Sequence, residues 1–438
     1  MKILIVGSGA REHSIAKTLA KSIHQPLLYC CGTSLNPGIK TLCQDYWVGE
    51  VTDNEKVSVC AQDWQVDWAF IGPEAPLEKG LADALWALNI PVIGPKKQLA
   101  QIETSKAFTR ELMQKYNIAG LPVYKVFNDL QGVAEFLEHL GEGQYVIKAN
   151  GLMAGKGVKV AGEHLHSFSE ALAFCEEILQ SQHSFVIEEK LLGQEFSFMC
   201  FTDGKNLAPM PIVQDHKRAF VGDTGPNTGG MGSYSNADHS LPFLKPTDVA
   251  EAFAIHQQVL QALKTETQER YLGILYGGFM VTAKGVYVIE FNARFGDPEA
   301  LNVLSLLESD LVDLCLCLIQ EELQPESVRF APQATVCKYA VPLGYPNNPL
   351  KNSEIHIDAI KNPEQLYLAA VHAEKDKLYA TGSRTAAVVG IAASIEAAEA
   401  QAEQEIQNIH GPLFHREDIG TSLLIQSRVD MMRKLRSE

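Results

Sequence analysis

The chain has 438 residues, of which 46% are hydrophobic and 21% charged, with a formal net charge of −16. That length exceeds one ordinary hydrophobic core and predicts roughly two to four domains. The acidic balance excludes a general binder of nucleic acid or anionic membrane, which needs a basic excess to neutralise phosphates. It leaves room for small anionic ligands held at a local site.

The opening MKILIVGSGA has too short an apolar run for a signal peptide, and no later stretch approaches a spanning helix. We expect a cytoplasmic monomer acting on small molecules, without nucleic-acid or membrane partners. The nine cysteines form no CxxC pair, and Cys30-Cys31 and Cys315/Cys317 lie in apolar runs, which predicts buried free thiols. The thirteen histidines show no HExxH or clustered spacing, so no structural zinc is expected.

Residues 1–104 alternate strand and helix. Lys2–Val6 reads as a strand, Gly7-Ser8-Gly9 as a turn and Arg11–Lys21 as a helix. Asp67–Ile71 is a second strand, followed by Gly72-Pro73-Glu74-Ala75-Pro76-Leu77, a helix over Lys79–Leu88 and a short strand Pro91–Ile93. This repetition predicts a doubly wound parallel sheet with ligands at the carboxyl ends of its strands. The first turn meets only two glycines of the dinucleotide fingerprint, and Glu12 occupies its sixth position, which argues against nicotinamide binding. A helix start still favours a phosphate, with Arg11 and His13 as added donors.

Ser105–Tyr116 reads as a helix with Lys106 in its first turn, where the helix dipole disfavours a cation; Lys106 has a ligand or is simply solvated. Tyr145–Ala149 and Val158–Ala161 are strands around a glycine loop holding Gly151, Gly155, Lys156 and Gly157. The spacing is not that of a Walker A loop, which also leads into a helix. It predicts a strand–loop–strand flap whose backbone approaches phosphates, with Lys148 and Lys156 supplying charge. Ser184–Ile187 is a strand leading to Glu188, with Glu195 beyond; these carboxylates could take the edges of a nucleoside or be surface charges.

Asp215-His216-Lys217-Arg218 opens a long polar loop ending in a glycine-rich run that includes Gly229 and Gly230, suited to gripping a small polar substrate. A helix over Pro246–Leu263 and a strand over Ile274–Thr282 lead to Val286–Glu299. This last stretch begins as an apolar strand and then alternates: Ile289, Phe291, Ala293 and Phe295 on one face, Glu290, Asn292 and Arg294 on the other. Glu290 and Asn292 lie about 7 Å apart along a strand and could share one Mg²⁺. Arg294, about 13 Å along from Glu290, needs another anion, for which a phosphate or carboxylate fits. Alone, the same face could be a solvated strand edge. After Pro325, strands over Ala334–Val341 and Thr385–Ile391 and an acidic helix over Ser394–Ile409 show no evident chemistry.

Together these motifs resemble the ATP-grasp ligases, and more narrowly the phosphoribosylamine–glycine ligase family. Residues 7–13, 72–77, 105–108, 215–218, 224–232 and 290–299 carry the likeness. Asn150, Met153, Ala293, Ala300 and Leu301 depart from the family's commonest residues. The resemblance implies an N-terminal α/β domain (1–104), an ATP-grasp domain (105–122 and 194–326), its flap (123–193) and a C-terminal α+β domain (327–438). It implies ligation of glycine to phosphoribosylamine through glycyl phosphate, with ATP as substrate and Mg²⁺ or Mn²⁺ on Glu290 and Asn292. By that resemblance Lys106, Lys148 and Lys156 hold phosphates, and Glu188 and Glu195 hold adenine and ribose. Arg294, Lys217 and Asp215 serve catalysis. Gly7, Gly9, Arg11, Glu74, Gly229, Gly230, Gly296 and Asp297, again with Asp215, Lys217 and Arg294, contact the other substrates. A paralogue joining another amino acid or amine is the main alternative. A nicotinamide-dependent oxidoreductase and a non-catalytic nucleotide-binding regulator are more distant ones.

Overall fold

The computed structural model describes residues 1–153, 157–181 and 184–437. Near the N-terminus, β1 (Lys2–Val6), β2 (Leu27–Gly32), β3 (Cys43–Val48), β4 (Trp68–Ile71) and β5 (Val92–Ile93) form a parallel sheet ordered β3-β2-β1-β4-β5. Ile3 to Val6 are wholly buried, the unbroken apolar run of a strand covered on both faces. The strand order reverses between β1 and β4, so the turns at Gly7 and Gly72 share the crevice there. The helix expected over Lys79–Leu88 is present as Leu81–Ala87, and a separate short helix, Glu74–Glu78, precedes it in the stretch after β4. They meet at Gly80, whose φ of +82° breaks the run.

The flap sheet contains β6 (Tyr124–Phe127), β7 (Tyr145–Ala149), β8 (Val158–Val160) and β9 (Phe185–Glu189), in the antiparallel order β6-β9-β7-β8. It has an apolar core of its own, including Phe127, Ile147, Phe174 and Phe185. Gly155 and Lys156 lie outside the described residues.

The chain then runs through β10 (Gly193–Thr202), β11 (Leu207–Pro209), β12 (Gln214–Asp215), β13 (Arg218–Phe220), β14 (Thr224–Asn227), β15 (Gly232–Ser235), β16 (Gly273–Thr282) and β17 (Gly285–Asn292). Strands β11-β10-β16-β17 form the antiparallel sheet under the cleft. The stretch expected as one long polar loop is therefore structured: β12 and β15 pair, and β13 and β14 make a hairpin. Their polar, glycine-rich sequence hid strands that gain backbone bonds from distant partners. In particular, β15 pairs with β18 (Ala334–Pro342), so the C-terminal region continues a sheet begun at Gln214. Among the described residues no helix is long and apolar enough to cross a membrane.

Candidate active site

A cleft of about 960 Å³ lies between the sheet under it, the flap, the β13–β14 hairpin and the carboxyl end of the N-terminal sheet. Its floor is β17. Opposite β16 the register slips: Gly278 faces Glu290, but Phe279 faces Val288, leaving Ile289 as an extra residue. This bulge corrects the expected alternation. Val286 and Val288 are buried, as are Phe291 and Ala293, whereas Ile289 is half-buried and joins Glu290 in the cleft wall. Strict alternation would have set Ile289 beside Phe291.

Three lysines converge on Glu290. Lys217 lies 3.9 Å from its carboxylate, and Lys148 and Lys106 are near enough to act on its charge. Burial would raise the Glu290 pKa, but Lys217, Lys148, Lys106 and Arg294 hold it below the ordinary value. Burial pushes the pKa values of Lys106 and Lys148 down. Lys106 Nζ donates to the Gly151 carbonyl at 2.9 Å, tying the helix Lys106–Lys115 to the flap. Asn150 reinforces that joint: its Oδ1 accepts from the Ala107 amide at 3.2 Å and its amide group donates to Ser184 Oγ at 2.9 Å. Glu290 and Asn292 offer hard oxygens on the same floor, a donor set that fits a divalent cation sharing its remaining positions with phosphates and water.

Glu188 is not free to meet a nucleoside. Its carboxylate takes Arg110 through two bonds of 2.7 and 3.0 Å and Lys148 at 2.7 Å. Burial opposes its charge, yet these cations hold its pKa down at about 2. Arg110 sits four residues after Lys106, on the same helix face, and sequence reading passed over it. Glu195 does reach the cleft, half-exposed and 3.8 Å from Lys217.

Arg294 finds its anions within the protein. Nη2 meets Glu103 at 2.7 Å and Nε meets Glu74 at 3.2 Å; the guanidinium also donates to Asn292 Oδ1 and the Phe295 carbonyl. Burial alone would lower its pKa, but Glu103 and Glu74 raise it. Glu103 is pushed up to about 7 by burial, against the pull of Arg294, and it also accepts the Ala293 amide at 2.7 Å. No motif marked Glu103; only the packing of helix Lys97–Thr104 against β17 brings it to Arg294.

Beyond Glu290 lies a second polar group. Asp215 accepts the His216 amide at 2.7 Å, and burial together with neighbouring Glu299 raises its pKa well above the carboxylate range. Glu299 is buried, accepting Tyr276 OH at 2.5 Å and Ser197 Oγ at 2.9 Å. Gly230 closes over Asp215 with φ +111°, and a Cβ there would lie 2.7 Å from Asp215 Oδ1. Gly296 likewise leaves room for Glu299, whose Oε2 would be 2.3 Å from a Cβ. Asp297 accepts Tyr339 OH at 2.6 Å and lies 3.2 Å from Arg384 Nη1. Tyr339 and Arg384 come from the C-terminal region, where no chemistry was expected.

The first turn differs from expectation. The Gly9 amide donates to Glu12 at 2.7 Å, and the same carboxylate takes Arg11 Nε at 2.6 Å. Glu12 fills the space beneath Gly7 and Gly72, where a Cβ would meet it at 2.7 and 2.1 Å. His13 is no phosphate donor: it is buried, its Nδ1 accepts the Leu368 amide at 2.9 Å, and burial first, then Lys17, lowers its pKa to about 3. Arg11 keeps its place in the cleft wall and donates to the Phe295 carbonyl at 3.1 Å.

The family models for phosphoribosylglycinamide synthetase match in three consecutive parts: the N domain over residues 1–103, the ATP-grasp (A) domain over 104–300 and the C domain over 335–422. The chain belongs to the phosphoribosylglycinamide synthetase family. It is 50% identical over 436 residues to the phosphoribosylamine–glycine ligase of Methanosarcina barkeri, covering 100% of each chain. It is 43% identical over 439 residues to that of Pyrococcus furiosus, covering 100% of this chain and 98% of that one. Among solved structures, the phosphoribosylamine–glycine ligase of Thermotoga maritima superposes with a TM-score of 0.80 at 28% identity, covering 96% of this chain and 100% of that one. A biotin carboxylase from Campylobacter jejuni shares the fold at a TM-score of 0.72 and 12% identity, covering 99% and 95%. Membership of this ATP-dependent ligase family confirms the multidomain ATP-grasp architecture and sets aside the nicotinamide alternative.

Proposed function

We propose that the chain joins glycine to 5-phosphoribosylamine at the expense of ATP, giving glycinamide ribonucleotide, ADP and phosphate. The observation that carries this reading is that Lys106, Lys148, Lys217 and Arg294 line one open cleft together with Glu290 and Asn292. Cations and hard oxygens side by side suit a polyphosphate carrying a divalent cation, with a second anion beside it. The family and its relatives' names support the substrates.

The reaction brings two anions together, since a glycine carboxylate oxygen must attack the γ-phosphorus as ADP leaves. Mg²⁺ or Mn²⁺ held by Glu290 and Asn292 would neutralise charge on the transferring phosphoryl. Lys106 and Lys148 hold phosphate oxygens, with Gly151 and Gly157 allowing close backbone approach. Glu195 takes the ribose hydroxyls. Glu188 acts at one remove, aiming Lys148. Arg294 is pre-aligned by Glu74 and Glu103, so it stabilises developing charge without first having to be ordered. Lys217 and Asp215 orient glycine and the incoming amine. That amine then attacks the glycyl phosphate carbonyl, phosphate departs and the ammonium loses a proton. The flap, with its own core and its Lys106 and Asn150 tethers, excludes water from the acyl phosphate.

The test is ADP release, with phosphoribosylamine supplied from ribose 5-phosphate and ammonia and each substrate omitted in turn. Release that requires both glycine and phosphoribosylamine is expected. Equal turnover with another amino acid would transfer the chain to the paralogue reading. We read the enzyme as a cytoplasmic monomer, in keeping with its nine free cysteines; its mass in solution checks the second point.

A further inference from the structure

Arg110 is buried and touches three elements at once. It stands one turn after Lys106 on the helix Lys106–Lys115. Its Nε and Nη2 take the two Glu188 oxygens at 2.7 and 3.0 Å, which reaches flap strand β9. The same Nη2 donates to the carbonyls of Val288 at 3.0 Å and Ile289 at 2.7 Å, on the β17 floor. Lys148 Nζ also donates to the Ile289 carbonyl, at 3.1 Å. Successive carbonyls of a regular strand point to opposite edges, where one nitrogen cannot hold both. The bulge at Ile289 breaks that alternation and brings the two together. The extra residue of a bulge has no ladder partner, and Arg110 and Lys148 supply one for its carbonyl. The peptide joining Ile289 to Glu290 is planar, so holding its oxygen fixes the direction in which Glu290 leaves the strand. Neutralising Glu188 does not account for these carbonyl bonds, and Lys148 already pairs with that carboxylate at 2.7 Å.

Resting on the ligase reading above, we infer that Arg110 is a positioning residue: by holding the Val288 and Ile289 carbonyls it aims the Glu290 carboxylate at the divalent cation. The fork of the guanidinium does this from behind the floor, and its other edge keeps Glu188 and the flap in register with the bulge. Groups that orient a metal-binding side chain without touching the metal are worth on the order of 10- to 100-fold in metal affinity.

The experiment is Mn²⁺ binding to the full-length protein saturated with ADP, followed by paramagnetic resonance of the free ion. ADP binding by calorimetry in EDTA and a melting curve accompany it. Arg110→Lys keeps a charge beside Glu188 but loses the planar fork. It should weaken Mn²⁺ binding on the order of 10- to 100-fold, with ADP affinity in EDTA little changed. The Mn²⁺ concentration for half-maximal turnover should rise by the same factor. Arg110→Gln combined with Glu188→Gln removes the charge and its partner together, so no buried carboxylate is left unpaired. It should show the same loss of Mn²⁺ affinity, and it serves if Arg110→Lys does not fold. Wild-type Mn²⁺ affinity in a folded variant overturns the inference. So does a loss of ADP affinity in EDTA as large as the loss for Mn²⁺, which would place the effect on Lys148. The ligase reading stands or falls separately, on the wild-type requirement for both substrates.

Discussion

The β17 floor and the first glycine turn carry similar residues to opposite ends. Each offers glycines, an arginine and a glutamate near the carboxyl end of a strand, and each invites an anion. At the floor, Lys106, Lys148, Lys217 and Arg294 share one open cleft with Glu290, Lys106 bonding a backbone carbonyl and the others keeping carboxylate partners in the cleft wall. At the turn, Glu12 takes both the Gly9 amide and Arg11 and fills the crevice under two glycines. The difference teaches that residue types nominate a site, but their partners decide whether charge is left over for a ligand.

Substitutions on the two sides should separate accordingly. Glu290→Ala removes the carboxylate at the centre of the floor, and kcat should fall on the order of 10³-fold in a protein that still folds. Steady-state kinetics beside a melting curve checks this, and near-normal turnover would remove the floor from the chemistry. Arg294→Lys keeps a cation against Glu74 and Glu103 but loses the fork, so kcat should drop on the order of 10²-fold with little change in the KM for ATP. A folded variant with normal kcat would reduce Arg294 to an anchor for the end of β17. At the turn, Glu12→Gln should cost about 1–3 kcal/mol of stability by weakening two buried bonds, with turnover intact. Lost activity at full stability would show that the turn does bind substrate.

The smallest effect sharpens the comparison from the flap joint. Arg110 and Lys148 hold Glu188 at about 2, below its ordinary 4.5, so the stability it contributes is present above that ordinary value and is lost as pH falls toward the lower one. Urea midpoints at about pH 5 and about pH 3 should show Glu188→Gln trailing wild type at the higher pH, with the gap narrowing at the lower. A constant gap would mean that Glu188 does not titrate in this window.

The amino-acid sequence by itself determined the element types and most of the cleft's cast. Apolar runs such as Ile3–Val6 state a buried parallel strand because both faces must be apolar, and the order of glycine turns and strands marks where ligands lie. Lys106, Lys148, Lys217, Glu290, Asn292 and Arg294 were legible because charges next to glycines or breaking an apolar strand are anomalous locally. Tertiary structure alone decided the partnerships. Glu103 and Arg384 reach the site from 191 and 90 residues away from Arg294 only after sheets and helices pack, and the Ile289 bulge appears only when β17 is laid against β16. The β12 and β15 strands needed each other and β18 to exist at all, since their polar, glycine-rich segments carry no strand signal of their own. Local pattern reports which groups a segment carries; long-range packing sets which of them neutralise one another and which remain for a ligand.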